Sequence, residues 1–426
     1  MMIVADKCVE KIVATDLDGV SKACKRSIFC KSKIRPDGTF LVETTPRSPG
    51  CKKDDPRKVW MSTGVTEKAK FAALDGLLDK SGFHGVVKER CAGKKNCKIY
   101  IKTNFAPTTQ KEFKSYTDPE LVEHVADVLE KQGHDVTIFE NETKLADVSP
   151  AFYPEILAKR LDPPYKRPVA NLTREARQLV TWKTGSIEIS RPLIEADMII
   201  SMAKIKTISE YYVSIALKNM YGAIPDRDKY HLFHWQDSGF DVEDATLVSN
   251  HATGTDFSIM EGIVTEDGGK TSSMHTSIEK EHFNAGVMMA GKDPLAIDKI
   301  ASVKIGKGQN SSSITKRVAD FRGDFDVTDP GIVEIVNNPG ATPDEKFAVF
   351  RDAKTGGRWK KPTGFEHFAL NSFQFIVPRM LGVPDRTMKM TMCAFMPNFT
   401  VMTRDERASA CKVEKLFPIP PSNDWT

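Results

Sequence analysis

The stretch Lys98-Ile99-Tyr100-Ile101-Lys102, residues 118–132 and Asp135-Val136-Thr137-Ile138-Phe139-Glu140 decides the fold. Its outer pieces are short runs rich in β-branched and aromatic residues, which read as strands. The middle piece sets Leu121, Val122, Val125, Val128 and Leu129 on one helical stripe. Thr117 or Asp118 caps it, Pro119 lies in the first turn and Gly133 terminates it. Strand, helix and strand within about forty residues predict a right-handed parallel crossover.

The same alternation resumes downstream. Residues 197–202, 257–260 and 285–290 read as strands, residues 210–221 as a helix ended by Gly222, and residues 294–305 as a helix ended by Gly306. The expected fold class is therefore α/β, a mainly parallel sheet with helices on both faces. Before it, residues 1–60 are broken by Gly19, Pro36-Asp37-Gly38, Pro46 and Pro49-Gly50, which predicts turn-rich β structure without helices. Residues 66–78 carry apolar groups at helical spacing, and the prolines between 150 and 185 predict a surface excursion. We divide the chain into a turn-rich basic N-terminal extension (1–64), an α/β core (65–336) and a C-terminal arm or cap (337–426).

Composition narrows the function classes. Apolar residues at 40% and charged residues at 28% fit an ordinary soluble protein, and no apolar run is long enough to cross a bilayer. Asp6, Lys7, Glu10 and Lys11 near the start are unlike a secretory signal, so the sequence places the chain in the cytoplasm. The first hundred residues hold 21 Lys and Arg against 12 Asp and Glu. Their aromatics are few and not interleaved with the basic residues, so a solvated basic surface is expected and a nucleic-acid partner is not.

Six of the eight cysteines also fall there: Cys8, Cys24, Cys30, Cys51, Cys91 and Cys97. Cys24/Cys30 and Cys91/Cys97 each enclose five residues, whereas zinc knuckles and ferredoxin runs enclose two to four. The spacing therefore supports neither an iron–sulfur cluster nor a local divalent-metal knuckle, and reduced thiols are expected. A metal site would have to gather ligands from separate loops.

Cationic and amide side chains stand where strands end. Lys102 and Asn104 follow the first strand, Lys204 and Lys206 follow a later one, and Lys218 and Asn219 lie in the next helix. Strand carboxyl ends are where open α/β sheets bind ligands, so an anionic small molecule is the expected partner, with Arg227 and Lys229 adding charge. Lys204 and Lys206, one residue apart in extended chain, would share a face and repel, which lowers a lysine pKa and suits proton transfer or nucleophilic attack. Glu140 and Glu261 end strands and are candidate acids or metal ligands; Asp298 is a further candidate ligand, and Asp293 a helix cap.

The run Ile101-Lys102-Thr103-Asn104-Phe105, the helix opened by Thr117-Asp118-Pro119-Glu120, Ala203-Lys204-Ile205-Lys206-Thr207, Ala216-Leu217-Lys218-Asn219-Met220-Tyr221-Gly222, Ile224-Pro225-Asp226-Arg227-Asp228-Lys229-Tyr230 and Gly291-Lys292-Asp293-Pro294-Leu295-Ala296-Ile297-Asp298 occur in that order. As a set they resemble the domain of unknown function 362 family across roughly residues 65–335. The chain departs from that pattern at Thr103, where proline is usual, at Ile208, where histidine is common, and at Glu261-Gly262, where the family has Asp-Gly. Some members resemble fusions to ferredoxin-like modules, which the cysteines here do not reproduce.

Three readings follow. The first is a small-molecule enzyme in which Lys204, Lys206, Lys218 and Glu140 are catalytic, Lys102, Asn104, Asn219, Arg227 and Lys229 hold an anionic substrate, and Glu261 or Asp298 binds metal. The second is an accessory protein handling metal or an iron–sulfur cluster with a redox partner. The third is a magnesium-dependent phosphatase using Asp16, since Asp16-Leu17-Asp18-Gly19-Val20 is similar to the first motif of haloacid-dehalogenase-type phosphatases. Asp267-Gly268-Gly269-Lys270-Thr271 lacks the first glycine of a phosphate loop, Val264 standing there. The pairs His231/His234 and His275/His282 complete no ligand pattern.

Overall fold

The computed structural model describes residues 8–46, 51, 57–105, 116–143, 153–208, 212–226, 229–234, 239–266, 282–283, 285–304, 312–329 and 331–337. The C-terminal arm beyond 337, Arg227, His275 and the 267–271 run lie outside the described residues.

Near the N-terminus, β1 (Glu10–Ala14), β2 (Ser27–Ile34) and β3 (Phe40–Pro46) form an antiparallel sheet in the order β1-β3-β2. There follow β4 (Lys58–Ser62), β5 (Lys98–Lys102), β6 (Asp135–Glu140) and β7 (Ala170–Asn171), then a separate hairpin of β8 (Arg177–Trp182) and β9 (Gly185–Ser190). The remaining strands are β10 (Met198–Ile208), β11 (Tyr212–Ser214), β12 (Phe257–Glu266), β13 (His282–Phe283), β14 (Val287–Gly291) and β15 (Glu334–Asn337).

A ten-stranded sheet runs β15-β4-β14-β12-β10-β5-β6-β7, with β11 paired to β10 and β13 to β12. Pairing is parallel from β12 through β7 and again between β15 and β4; β14 is antiparallel to both its neighbours. The fold is thus α/β with a mainly parallel sheet. The boundary drawn at residue 64 separates β4 from the sheet in which it pairs.

Burial on both faces explains why β10 opens as an unbroken apolar run. Met198, Ile200 and Met202 pack with Leu121, Val125 and Leu129 of the helix Pro119–Glu130. Ile199, Ala203 and Ile205 pack on the other face with Leu217 and Met220 of the helix Ala216–Tyr221. Each fully buried side chain of this size contributes roughly 1.5–3 kcal/mol of transfer free energy. Among the described residues no helix is long and apolar enough to cross a membrane.

Three sequence expectations change. A helix, Leu17–Cys24, interrupts the expected helix-free N-terminal region; Asp16 caps it by accepting from the Gly19 N–H at 2.7 Å, and Leu17, Val20 and Cys24 form its buried side. The expected helix 210–221 is two elements, because Tyr212–Ser214 pairs antiparallel with β10 before the helix begins at Ala216. The thiols are not reduced: Cys8–Cys51, Cys24–Cys30 and Cys91–Cys97 are disulfides with Cα separations of 5.2, 5.0 and 5.3 Å. Chain reversals at helix–strand junctions bring Cys24 to Cys30 and Cys91 to Cys97, while Cys8, ahead of β1, meets Cys51 from between β3 and β4, each pair within bridging distance.

The N-terminal sheet docks on the core through a buried ionic cluster. Arg90 forms a forked pair with Glu43 of β3, and its Nε lies 2.8 Å from Asp256, which also accepts the Ile199 N–H of β10 at 2.8 Å. Lys31 of β2 pairs with the same aspartate. Burial raises the Glu43 pKa, but Arg90 and Lys31 outweigh it and hold the carboxyl at about 2. Replacing Arg90 by alanine leaves Lys31 as the cation close to both Glu43 and Asp256 and removes the forked contact, so Arg90→Ala is expected to lower stability by about 1.5–3 kcal/mol in urea unfolding. A loss under about 1 kcal/mol would show that the cluster does not hold the two sheets together.

Candidate functional site

Lys102 ends β5 with its side chain wholly buried, and its Nζ lies 2.6 Å from Glu140 Oε1 at the end of β6. The ammonium also donates to the Thr103 carbonyl at 2.5 Å. Glu140 is held in turn, accepting the N–H of Phe105 on Oε2 at 3.2 Å and that of Asn141 on Oε1 at 3.0 Å. Burial pulls the Lys102 pKa down, and Glu140 opposes it. Gly222 makes this packing feasible: a Cβ there would fall 2.9 Å from Lys102 Nζ and 3.0 Å from its Cε.

The amide side chains link the strand ends. Lys206 Nζ donates to Asn104 Oδ1 at 2.8 Å, and Asn104 Nδ2 donates to Asn219 Oδ1 at 3.3 Å. Asn219 Nδ2 reaches the Lys102 carbonyl at 3.2 Å and Ser201 Oγ at 2.9 Å. β5, β10 and the helix Ala216–Tyr221 are thereby locked at one point. Thr117 adds a second lock, accepting the Asn104 N–H at 3.1 Å and donating to the Met202 carbonyl at 3.0 Å.

Lys204 and Lys206 do not face each other as a repelling pair. The register with β12 shifts between them, and Lys204 pairs with Glu261 and donates to the Val264 carbonyl at 2.9 Å, while Lys206 reaches Asn104. Burial raises the Glu261 pKa, with Lys204 pulling it back. Glu261 Oε1 also accepts the Asp118 N–H at 3.1 Å, but Oε2 is buried without a hydrogen-bond partner. Lys229 Nζ donates to the carbonyls of Glu142 and Ile224 at 2.7 and 3.1 Å. Desolvation lowers its pKa to about 8, with Glu140 raising it and Lys102 lowering it, which places these three groups in one electrostatic neighbourhood. Lys218 is half-buried, its Nζ 3.7 Å from the centre of the Tyr221 ring.

Asp298 is a cap supplied from another helix. Its Oδ1 accepts the N–H groups of Ala216 and Leu217 at 2.8 and 3.3 Å, where Ile215 offers no side-chain cap. The same residue therefore orients the helix that carries Lys218 and Asn219. Asp293 caps its own helix through the Leu295 N–H at 3.0 Å and receives a two-pronged contact from Arg322 at 2.8 and 3.1 Å. Asp16 is the cap already described, and Asp18 accepts from Trp182 Nε1 at 3.0 Å, so both carboxylates of the phosphatase-like pattern are in structural use. Asp324 pairs with Arg322 at 2.8 Å.

Sequence reasoning missed Thr103, Thr117, Asn141, Glu142, Tyr165 and Ser201. Glu142 is buried and takes the Asn171 amide at 2.6 Å; Thr103 Oγ1 lies 2.7 Å from the Tyr165 hydroxyl. Asn141 donates to the Ala223 carbonyl at 2.8 Å and leaves its own Oδ1 buried without a hydrogen-bond partner. The adjacency of Glu140, Asn141 and Glu142 to a strand end was the available signal for two of them. Tyr165 has none, since it arrives from a distant loop.

Two outcomes test this geometry. Gly222→Ala should displace Lys102 and cost about 1–3 kcal/mol in thermal or urea unfolding; an unchanged midpoint would show that the ammonium relocates freely. Burial pushes the Asp298 carboxyl up to about 8 from 3.8, against the Leu217 and Ala216 N–H groups, with Asp293 adding to the rise. Between those values the folded chain keeps a proton that the unfolded chain has lost, so this contribution is complete below about pH 4 and fades towards pH 8. Asp298→Asn should therefore gain stability relative to the parent as the pH rises through that window, measured by urea midpoints; a relative fall would mean that the ionised carboxylate holds the helix.

No curated protein sequence matches the chain. A family model for a domain of unknown function, DUF362, matches residues 99–302, the span from β5 to the helix Pro294–Lys304 that contains every residue of the strand-end network described above. The chain therefore carries a domain of the DUF362 family.

Proposed function

We propose that the protein is an enzyme that binds a small anionic substrate, a phosphate or carboxylate, at the carboxyl ends of β5, β6 and β10 and performs lysine-assisted proton transfer there. The observation that carries this reading is the continuous buried network of Lys102, Glu140, Asn104, Lys206 and Asn219. Lys102, Lys204, Lys206, Lys218 and Lys229 stand at these strand ends, and their ammonium groups are the donors that an incoming anion would meet. Buried ionic groups at strand ends are expensive to keep for stability alone, which further supports a binding role.

Lys102 and Lys229, whose pKa values fall through burial, suit proton transfer better than the Lys204/Lys206 pair. Lys102, once it has given up its proton, takes one from substrate, and Glu140, 2.6 Å away, stabilises the ammonium so restored. Glu261, with one unpartnered carboxylate oxygen, is the candidate acid or metal ligand on the other side. The three disulfides favour an oxidising compartment over the cytoplasm expected from the N-terminal residues.

Titration calorimetry with inorganic phosphate, pyrophosphate, oxalate and malonate provides the test. At least one anion should bind the parent protein, and Lys102→Ala and Lys206→Ala should each weaken it by about tenfold or more while leaving the fold intact. Affinity should fall as Lys229 loses its proton through about pH 8, and Lys229→Met should remove that fall. Equal binding by parent and lysine variants would overturn the assignment.

A further inference from the structure

At the opposite end of the parallel strands, three ligand-bearing side chains from separate segments converge. Cys91 follows the helix Phe83–Arg90, Cys97 precedes β5 and His134 precedes β6. One ligand atom from each lies within 4.8 Å of the others. Backbone contacts hold the three segments: Cys91 N–H donates to the Val87 carbonyl at 2.9 Å, Asp135 N–H to the Cys97 carbonyl at 2.9 Å, and His134 N–H to the Leu129 carbonyl at 3.3 Å. Both cysteines are buried, and His134 Nδ1 is a buried nitrogen without a hydrogen-bond partner.

A buried imidazole nitrogen left unpaired costs free energy unless something occupies it. We propose that Cys91, Cys97 and His134 form a redox-gated site for a soft divalent cation of the zinc class, closed while the cysteines are bridged and formed when they are reduced. A tetrahedral zinc ion with Zn–S near 2.3 Å and Zn–N near 2.0 Å keeps its ligand atoms roughly 3.5–3.8 Å apart, so the two sulfurs, bonded to each other here, separate on reduction while the three atoms stay within the 4.8 Å they now span. Two thiolates and an imidazole suit that ion, and the fourth position falls to water or another small ligand.

The chemistry balances. A dithiol reductant transfers two electrons and two protons to the Cys91–Cys97 bond, breaking it to two thiols while the reductant closes its own disulfide. The thiols then release two protons as both sulfurs bind the cation. The site is independent of the strand-end network, so its failure would leave the proposed function untouched.

Cobalt(II) serves as the probe, because thiolate coordination gives an intense charge-transfer band and tetrahedral geometry gives strong visible absorption. The full chain, reduced with a dithiol that is then removed anaerobically, should bind one equivalent with both features, and zinc should displace it. The oxidised chain should show neither. Cys97→Ser should abolish the charge-transfer signal, and His134→Gln should weaken affinity by about tenfold or more. His134 is half-buried and tolerates an amide of similar reach, so its variant decides the matter even if Cys97→Ser fails to fold. Absence of the band in the reduced parent, persistence of the full signal in Cys97→Ser, or unchanged affinity in His134→Gln would overturn the proposal.

Discussion

Parallel pairing of β10 with β5 on one side and β12 on the other is the constraint on which the architecture depends. Ser201 stands opposite Lys102, and Lys204 opposite Glu261. Because these strands run the same way, their carboxyl ends share one edge, and residues far apart in sequence meet there. A slip of one residue would exchange every buried face of β10, turning Ile200 and Met202 away from the helix Pro119–Glu130. The apolar alternation on both faces therefore protects the register, and the register places the polar network.

That network is built from charges the fold has taken out of water. Lys102 with Glu140, and Lys204 with Glu261, are buried pairs whose desolvation is offset by contact and by further hydrogen bonds to carbonyls and amides. Similar logic governs Arg322, which joins Asp293 and Asp324, and Arg90, which joins the N-terminal sheet to the core. The difference lies in location: the arginine clusters pin neighbouring elements, whereas the lysine clusters gather at the edge formed by the carboxyl ends of the parallel strands. Asp298 serves both ends, fixing the helix that presents Asn219 and Lys218.

Much of this organisation was legible before the structure. The strands Lys98–Lys102 and Asp135–Glu140 and the helix between them are found as read, because period-2 and period-3.6 patterns there agree with the cap at Asp118 and the terminator at Gly133. Lys102, Asn104, Lys206 and Asn219 stand together because strand ends converge wherever the sheet is parallel. The reading failed where a contact from elsewhere overrode local pattern. Tyr212–Ser214 is drawn into a hairpin with β10 rather than extending the following helix. The Lys204/Lys206 repulsion vanishes at a register shift no local pattern announces.

The sequence by itself determined the strand–helix–strand unit of residues 98–140, the α/β class, the family resemblance and the edge of the sheet at which cations collect, because these follow from short-range periodicity, capping and motif order. Only the tertiary structure decided which acceptor each lysine meets, that Asp298 caps a helix some eighty residues away in sequence, and that cysteines spaced unlike any metal knuckle are bridged, one pair beside His134. Those outcomes depend on distances between segments, which packing of the two sheet faces sets and one-dimensional spacing does not contain.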